Sequence, residues 1–422
     1  MRGKESPSSC PSHIKGEGTK RKLARPSFNM QNFSYKSFLL NYYLTGFFYQ
    51  FIFAYAIYTV LFNIRGLSVF QISLLLSWWA LVGVLLEIPT GALADSWSRR
   101  KMLTIAPIIK SLCFVIWFFA NGNFYLYALG FVFWSTGSSF VSGTTEALLY
   151  DTLTYAGKKD DYEKVLGRKK SYQWIAVALS TLSGGFIASQ NLDWAIIFSV
   201  APLILSALFA SQLKDVPKVE TTGETHYLEY IRIAFNEIKT NRILLYLFVY
   251  LLAISLFGGL EEFDQLYFQL AKLPLFAFGI AGFLWSASNA IGAYYAYKLK
   301  RFASVSYLLP FLSGILLVFV AKYPSIPMIG LLFASYLITT PLKVLVESSI
   351  QHNISSVSRA TVTSVSHLGN NLFGVLLMPV FGLIAKVWNL PAIYLTTGVF
   401  MLVFAIWVFS VRNKVAVKTA NG

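Results

Sequence analysis

The chain has 422 residues, of which 56% are hydrophobic and only 13% charged, and its formal net charge is +16. So few charges cannot cover the surface of a water-soluble domain, where roughly 25% is usual, and the same composition excludes a disordered chain or a disulfide-stapled secreted domain. The basic balance first suggests nucleic acid, so its distribution along the chain has to decide.

Residues 1–35 are polar, basic and rich in Ser, Gly and Pro. They lack the apolar core of a signal peptide and read as a disordered tail. Met30 is a second candidate start. Cys10 and Cys113 form no disulfide framework or metal spacing, and His13, His226, His352 and His367 are scattered, so no metal or cofactor is expected.

From there the apolar residues gather into twelve runs near the ~20 residues that a helix needs to cross a bilayer. They cover 37–63, 69–92, 102–120, 123–150, 170–190, 192–211, 243–268, 275–298, 304–321, 326–350, 362–386 and 389–411. Strands of a membrane barrel would be shorter and alternating, so the predicted fold is an all-α integral membrane bundle of twelve transmembrane helices. With the N-terminus placed in the cytoplasm, 29 of the 35 Lys and Arg fall in cytoplasmic segments. Four (Arg65, Lys272, Lys322, Lys386) fall outside, and two (Lys110, Lys343) within spans. This is a strong positive-inside bias and predicts both termini in the cytoplasm. Attraction to anionic lipid accounts for the basicity, and no nucleic acid partner is needed.

The longest polar interruption, 212–241, divides the spans six and six. Within it Leu228, Ile231, Phe235 and Ile238 share one helical face, which predicts an amphipathic helix on the membrane surface. The expected domains are therefore a tail (1–35), a six-helix bundle (36–211), the linker (212–241), a second bundle (242–411) and a tail (412–422). The halves are weakly repeated. At an offset of 201 residues Gly91-Ala falls on Gly292-Ala, and Glu146 on Glu347. Two parallel six-span halves are the architecture of a rocking-bundle transporter.

Gly91-Ala-Leu-Ala-Asp95-Ser-Trp-Ser-Arg99-Arg100-Lys101 resembles the motif between spans 2 and 3 of the major facilitator superfamily, and it falls in that place here. Glu87-Ile-Pro-Thr-Gly91 and Glu146-Ala-Leu-Leu-Tyr-Asp151 are similar to a prokaryotic drug-exporter-like branch. The sequence departs from the family pattern at Ser96 and Ser98, lacks an Arg in span 4, and keeps the span 5 antiporter motif only as Ser183-Gly184-Gly185. The resemblance implies a conformational latch. In it Asp95 holds the N-terminus of span 11 through exposed N–H groups, Arg99 and Arg100 hold or release Asp95, Gly91 lets the backbones approach, and Lys101 completes the basic end.

Charges inside spans are costly, roughly 2.5–3.5 kcal/mol each on insertion scales, and usually face a cavity or a partner. Glu87, Lys110 and Glu146 are candidates for one polar cluster in the first half, with a carboxylate that carries a proton or a permanent structural pair as the two readings. Lys343 and Glu347 stand four apart on span 10, either as an intrahelical pair or as one that exchanges partners. Arg359 opens span 11 as a partner for Glu347 or Asp151, and Asp151 is a gate partner for basic loop residues. Glu261, Glu262 and Asp264 follow Gly258-Gly259 near the outer end of span 7, where they form an outer gate, a vestibule for cations or a solvated helix end. Phe47, Phe48, Tyr49, Phe51, Phe53, Tyr55 and Tyr58, with Trp174, Trp285 and Asn289, are candidate walls of a substrate cavity.

No phosphate-binding loop, metalloprotease pair or nucleophile elbow occurs, so no enzyme is expected. The expected function is secondary transport of a small organic solute by alternating access, with protons as coupling ion, export as direction, a monomer as the working unit and the plasma membrane (the inner membrane in a prokaryote) as location. An importer on the same fold and a non-transporting receptor or scaffold remain open alternatives.

Overall fold

The computed structural model describes residues 34–216, 239–299, 304–352 and 359–419. The side chains of Asp95 and of residues 351–368 are outside the described set, as are the N-terminal tail and the predicted surface helix of the linker. Among the described residues the chain is helical throughout, and the helices follow the twelve predicted runs.

Span 1 is Tyr35–Gln50, a 3-10 turn Phe53–Ala56 and Tyr58–Ile64. Spans 2 and 3 are Val69–Ser96 and Arg99–Phe119. Span 4 is Phe124–Val141 followed by Thr144–Tyr155, and span 5 is Tyr162–Gln190. Span 6 is Leu192–Ile197 and Val200–Ser211, and span 7 is Arg242–Glu261 and Asp264–Leu270. Spans 8 to 12 are Leu275–Leu299, Val305–Lys322, Ile326–His352, Arg359–Val387 and Leu390–Thr419. Nine of these segments are long and apolar enough to cross a membrane on those two criteria alone. The others fall short for visible reasons: span 1 is broken, span 5 begins with a basic stretch, and the apolar part of span 11 is Asn371–Val387. Span 12 also runs past its predicted end at 411 to Thr419.

Polar residues start the helices where their sequence predicts. Ser68 accepts from the Gln71 N–H at 3.2 Å while the Gln71 side chain accepts from the Ser68 N–H at 2.9 Å, a reciprocal cap at the head of span 2. Asn123 caps span 4 and Asn241 caps span 7, each accepting from two backbone N–H groups. Pro89, Pro107, Pro310, Pro341 and Pro379 all lie within helices, as membrane helices tolerate when neighbours satisfy the freed carbonyls.

Four spans predicted as continuous are broken. Span 1 loses its helical ladder after Gln50, and the freed Ala54 N–H donates to Ser199 Oγ at 3.0 Å, in the break of span 6. Span 4 breaks at Ser142–Gly143, where Gly143 has φ +69°, a left-handed conformation that glycine adopts without strain. Span 7 breaks after Glu261 rather than at Gly258-Gly259. Hydropathy does not register these breaks because the residues around them are as apolar as a helix would be.

The loops with few cations lie at one end of the bundle and the basic loops at the other. They are here termed the charge-poor and basic ends. At the charge-poor end the two halves touch. Span 5 meets span 8 backbone to backbone: a Cβ on Gly185 would stand 2.5 Å from the Gly279 nitrogen, and one on Gly279 2.6 Å from the Thr181 and Leu182 carbonyl oxygens. Span 2 meets span 11 through Ser77 Oγ, which donates to the Val375 carbonyl at 2.6 Å, and Lys386 lies over the Phe70 ring at 5.1 Å. The larger apolar core belongs to both halves. It includes Phe62, Trp117, Tyr127 and Phe131 from the first, and Phe263, Tyr267, Phe278 and Tyr394 from the second. The smaller core, with Leu244, Tyr250, Val346, Ile350, Phe404 and Val408, lies wholly in the second half toward the basic end.

Candidate functional site

The breaks in spans 1, 4 and 7 converge on a central cavity of about 530 Å³. Its walls come from both halves: Tyr49, Gln50, Tyr55, Tyr58, Trp79, Lys110, Phe131, Trp134, Ser138, Ser142, Trp174 and Thr181 from the first, and Glu261, Glu262, Asp264, Gln265, Phe268, Phe278, Trp285 and Ser286 from the second. The volume is within the 300–1,000 Å³ typical of small-molecule sites, and the mix of aromatic walls with a few polar groups is typical too.

The charge-poor end of the cavity is held by side chains of span 7 that reach into span 1. Tyr58 Oη donates to the Glu262 carboxylate. Gln265 Nε2 donates to the Tyr55 carbonyl at 2.8 Å, and its Oε1 accepts from Thr59 Oγ1 at 2.8 Å and from the Thr59 N–H at 3.2 Å. The break in span 1 frees backbone groups that no water inside a bilayer could satisfy, and Gln265 satisfies two of them from the other half. Asp264 is buried and accepts from Tyr336 Oη at 2.8 Å and Tyr394 Oη at 3.0 Å. The three acids therefore do not form an exposed vestibule or a solvated helix end. The break after Glu261 folds the end of span 7 inward, so they line the cavity at its closed end.

Lys110 does not form one cluster with Glu87 and Glu146. Its ammonium is enclosed by the rings of Tyr49, Trp134 and Tyr55 and donates to Tyr55 Oη at 3.2 Å. The charge of Glu146 is felt instead by Tyr42, Tyr162 and Lys169. A break resets helical phase, so a face drawn on a continuous span 4 does not persist beyond Ser142. Glu146 lies in the first turn of the second helix, where the exposed N–H groups favour a carboxylate. Glu87 is half-buried on span 2 and away from this site.

Lys343 and Glu347 make no ion pair with each other, and both are exposed. Lys before Glu is the weaker order for a pair four residues apart. The charge of Lys343 is felt at Glu261 across to span 7. Of the aromatic candidates Tyr49, Tyr55, Tyr58, Trp174 and Trp285 line the cavity. Phe48 stacks on Phe209 of span 6, and Phe47, Phe51 and Phe53 pack on one another. Asn289 accepts from Thr340 Oγ1 at 2.6 Å and ties span 8 to span 10. Sequence reasoning missed Gln50, Trp134, Gln265, Tyr336 and Tyr394. Gln265 directly follows the acid cluster and carried the best available signal.

The basic end is organised within the first half. Arg99, the first residue of span 3, pairs with Asp151 and donates to the Ala147 carbonyl at 2.9 Å. Asp215, just beyond span 6, accepts from Ser98 Oγ and from the Arg100 N–H at 2.8 Å, while Ser98 Oγ accepts from the Lys101 N–H at 3.1 Å. Gly91 is exposed, and among the described residues a Cβ placed on it would have nothing within 4 Å. Asp95 of the latch and Arg359, the expected partner of Glu347 or Asp151, lie, by their side chains, outside the described residues.

The family model of the Major Facilitator Superfamily matches residues 38–358. A comparison with curated protein sequences finds no match. Solved structures with the same fold include the nucleoside transporter NupG, at 15% identity and a TM-score of 0.71, covering 89% of this chain and 98% of that one. A bacterial homologue of the human lysosomal transporter Spinster, inward-facing and unoccupied, gives 20% and 0.67 with coverage of 88% and 94%. A D-xylose-proton symporter gives 13% and 0.64 with coverage of 88% and 96%. At these identities the likeness is one of fold.

Proposed function

The chain belongs to the major facilitator superfamily, and from that premise we propose that it is a secondary transporter moving a small amphipathic organic solute by alternating access, coupled to protons, in the direction of export. The observation that carries this reading is the pairing of a cavity lined by both halves with cross-half contacts at one end. Gln265 and Glu262 bind span 1 at the charge-poor end, and the named bonds of the basic end stay within the first half. Rocking the halves about the cavity would open one end and close the other. The cavity is complete within one chain, which supports a monomer as the working unit.

The positive-inside bias assigns the basic end and both termini to the cytoplasm, so the conformation described here is the one closed on the outside, and the plasma membrane is the proposed location. Glu262 is the proposed coupling group. As a carboxylate it accepts strongly from Tyr58 and holds the outer end shut, and protonation removes that charge-assisted bond. This moves the proton role from Glu146, which is not among the cavity-lining residues. Export is supported by the likeness of the Glu87 and Glu146 segments to exporters.

The test is flux in proteoliposomes. A panel of amphipathic organic solutes is loaded under an imposed pH gradient, with and without a protonophore. The expected result is protonophore-sensitive movement of at least one solute against its gradient and out of the compartment facing the basic end. No movement of any solute favours the receptor reading, and accumulation in that compartment favours the importer.

A further inference from the structure

Lys110 and Glu261 line the cavity from opposite halves, and neither makes an ion pair among the described residues. Lys110 is 2% exposed, yet it lines the cavity. Its Nζ lies 4.4 Å from the ring centre of Tyr49, 4.9 Å from that of Trp134 and 5.7 Å from that of Tyr55, and its one hydrogen bond is to Tyr55 Oη. No carboxylate pairs with it among the described residues. Aromatic faces recover only part of the cost of removing an ammonium from water, so this site is short of an anion. On the other half Glu261 makes no hydrogen bond or ion pair among the described residues, whereas its neighbours are occupied: Glu262 by Tyr58, Asp264 by Tyr336 and Tyr394. That carboxylate is short of a donor. The same cavity is lined by Trp134, Trp174 and Trp285, the last two with ring centres 6.4 Å apart, and the buried Trp285 Nε1 has no acceptor among the described residues.

We propose that the cavity binds a zwitterion with an aromatic body, an amino-acid-like or dipeptide-like solute whose carboxylate meets Lys110, whose ammonium meets Glu261 and whose ring lies among Trp134, Trp174 and Trp285. Each end of such a molecule supplies what one wall lacks. A solute with only one charge leaves the other cavity group unpaired, and an unpaired charge in a site closed to water is what makes such a site reject it. The assignment rests on the reading of this cavity as the transport site, and binding is therefore measured apart from flux.

The test uses the full chain purified in detergent and calorimetric titration with two matched sets: phenylalanine with phenethylamine and 3-phenylpropionate, and phenylalanyl-alanine with its descarboxy and desamino counterparts. The expected result is that the zwitterion of at least one set binds ten-fold or more tighter than both of its counterparts. Lys110→Met should abolish its advantage over the amine, and Glu261→Gln its advantage over the acid. Either counterpart binding as well as its zwitterion overturns the proposal, as does no binding in either set or an equal loss of all ligands in folded variants. If the variants fail to fold, the wild-type series decides alone. Zwitterion binding without counterflow in proteoliposomes keeps this assignment and removes the transport reading. Flux of other solutes without zwitterion binding does the reverse.

Discussion

The two ends of the bundle are built differently. At the charge-poor end the halves share one apolar core, two pairs of helices meet at close quarters, and Gln265 and Glu262 of span 7 hold the broken part of span 1. At the basic end, among the described residues, the Arg99–Asp151 pair and the Asp215 cap on span 3 lie inside the first half, and a smaller apolar core lies inside the second. The charge-poor end is thus joined across the halves by small residues, the Gln265 bonds and the Tyr58–Glu262 bond, which can part, whereas the Arg99–Asp151 pair at the other end, like Arg65–Asp193 at this one, lies within the first half. A rocking transporter needs both kinds of contact, those that part between the halves and those that hold one half together.

Substitutions at both ends would break or sharpen that contrast. Gly279→Leu should act most strongly, because its side chain would have to occupy the space of the span 5 backbone. About 2.7 kcal/mol of strain is two decades of population, so flux should fall about 100-fold, and a cysteine placed at Ser138 should become reactive to a thiol reagent added from the charge-poor side. Arg99→Ala removes its ion pair with the buried Asp151 and should lower the unfolding temperature in detergent, a loss partly recovered by adding Asp151→Ala. It should leave the access of that cysteine unchanged if the pair serves one half only.

Gln265→Leu strands the Tyr55 carbonyl. A stranded buried acceptor costs about 1–3 kcal/mol, and here the cost appears as a shift toward the state open at the charge-poor end rather than as global unfolding. Asn289→Ala removes a bond within the second half, worth about 1 kcal/mol, and should lower the unfolding temperature slightly with no change in access. Glu262→Gln is distinguished by kind rather than size: transport driven by a pH gradient should be lost while downhill exchange persists, and Glu146→Gln should retain the gradient dependence. The reverse pattern would return the proton role to span 4.

Much of this is legible in the chain. The spans follow from apolar length, their ends from Ser68, Asn123 and Asn241, and the two faces from where Lys and Arg fall. Lys110, Glu261, Glu262 and Asp264 draw attention because a charge in an apolar run has to be accommodated by something. What they face is not legible. Depth alone groups Lys110 with Glu87 and Glu146, but depth says nothing of the direction in which a side chain points once a helix breaks. Gln265, Tyr336 and Tyr394 look like ordinary span residues until the fold brings them to an acid or a freed carbonyl.

The sequence by itself determined that this is a multi-pass helical membrane protein of two related halves, because burial in lipid imposes length and composition on each span independently of the others. Only the tertiary structure decided where the spans break, and that the acids of span 7 and Lys110 of the other half line one shared cavity. Those features depend on contacts between segments as distant as Tyr58 and Glu262, and no local pattern encodes which backbone group or charge a remote side chain will come to satisfy.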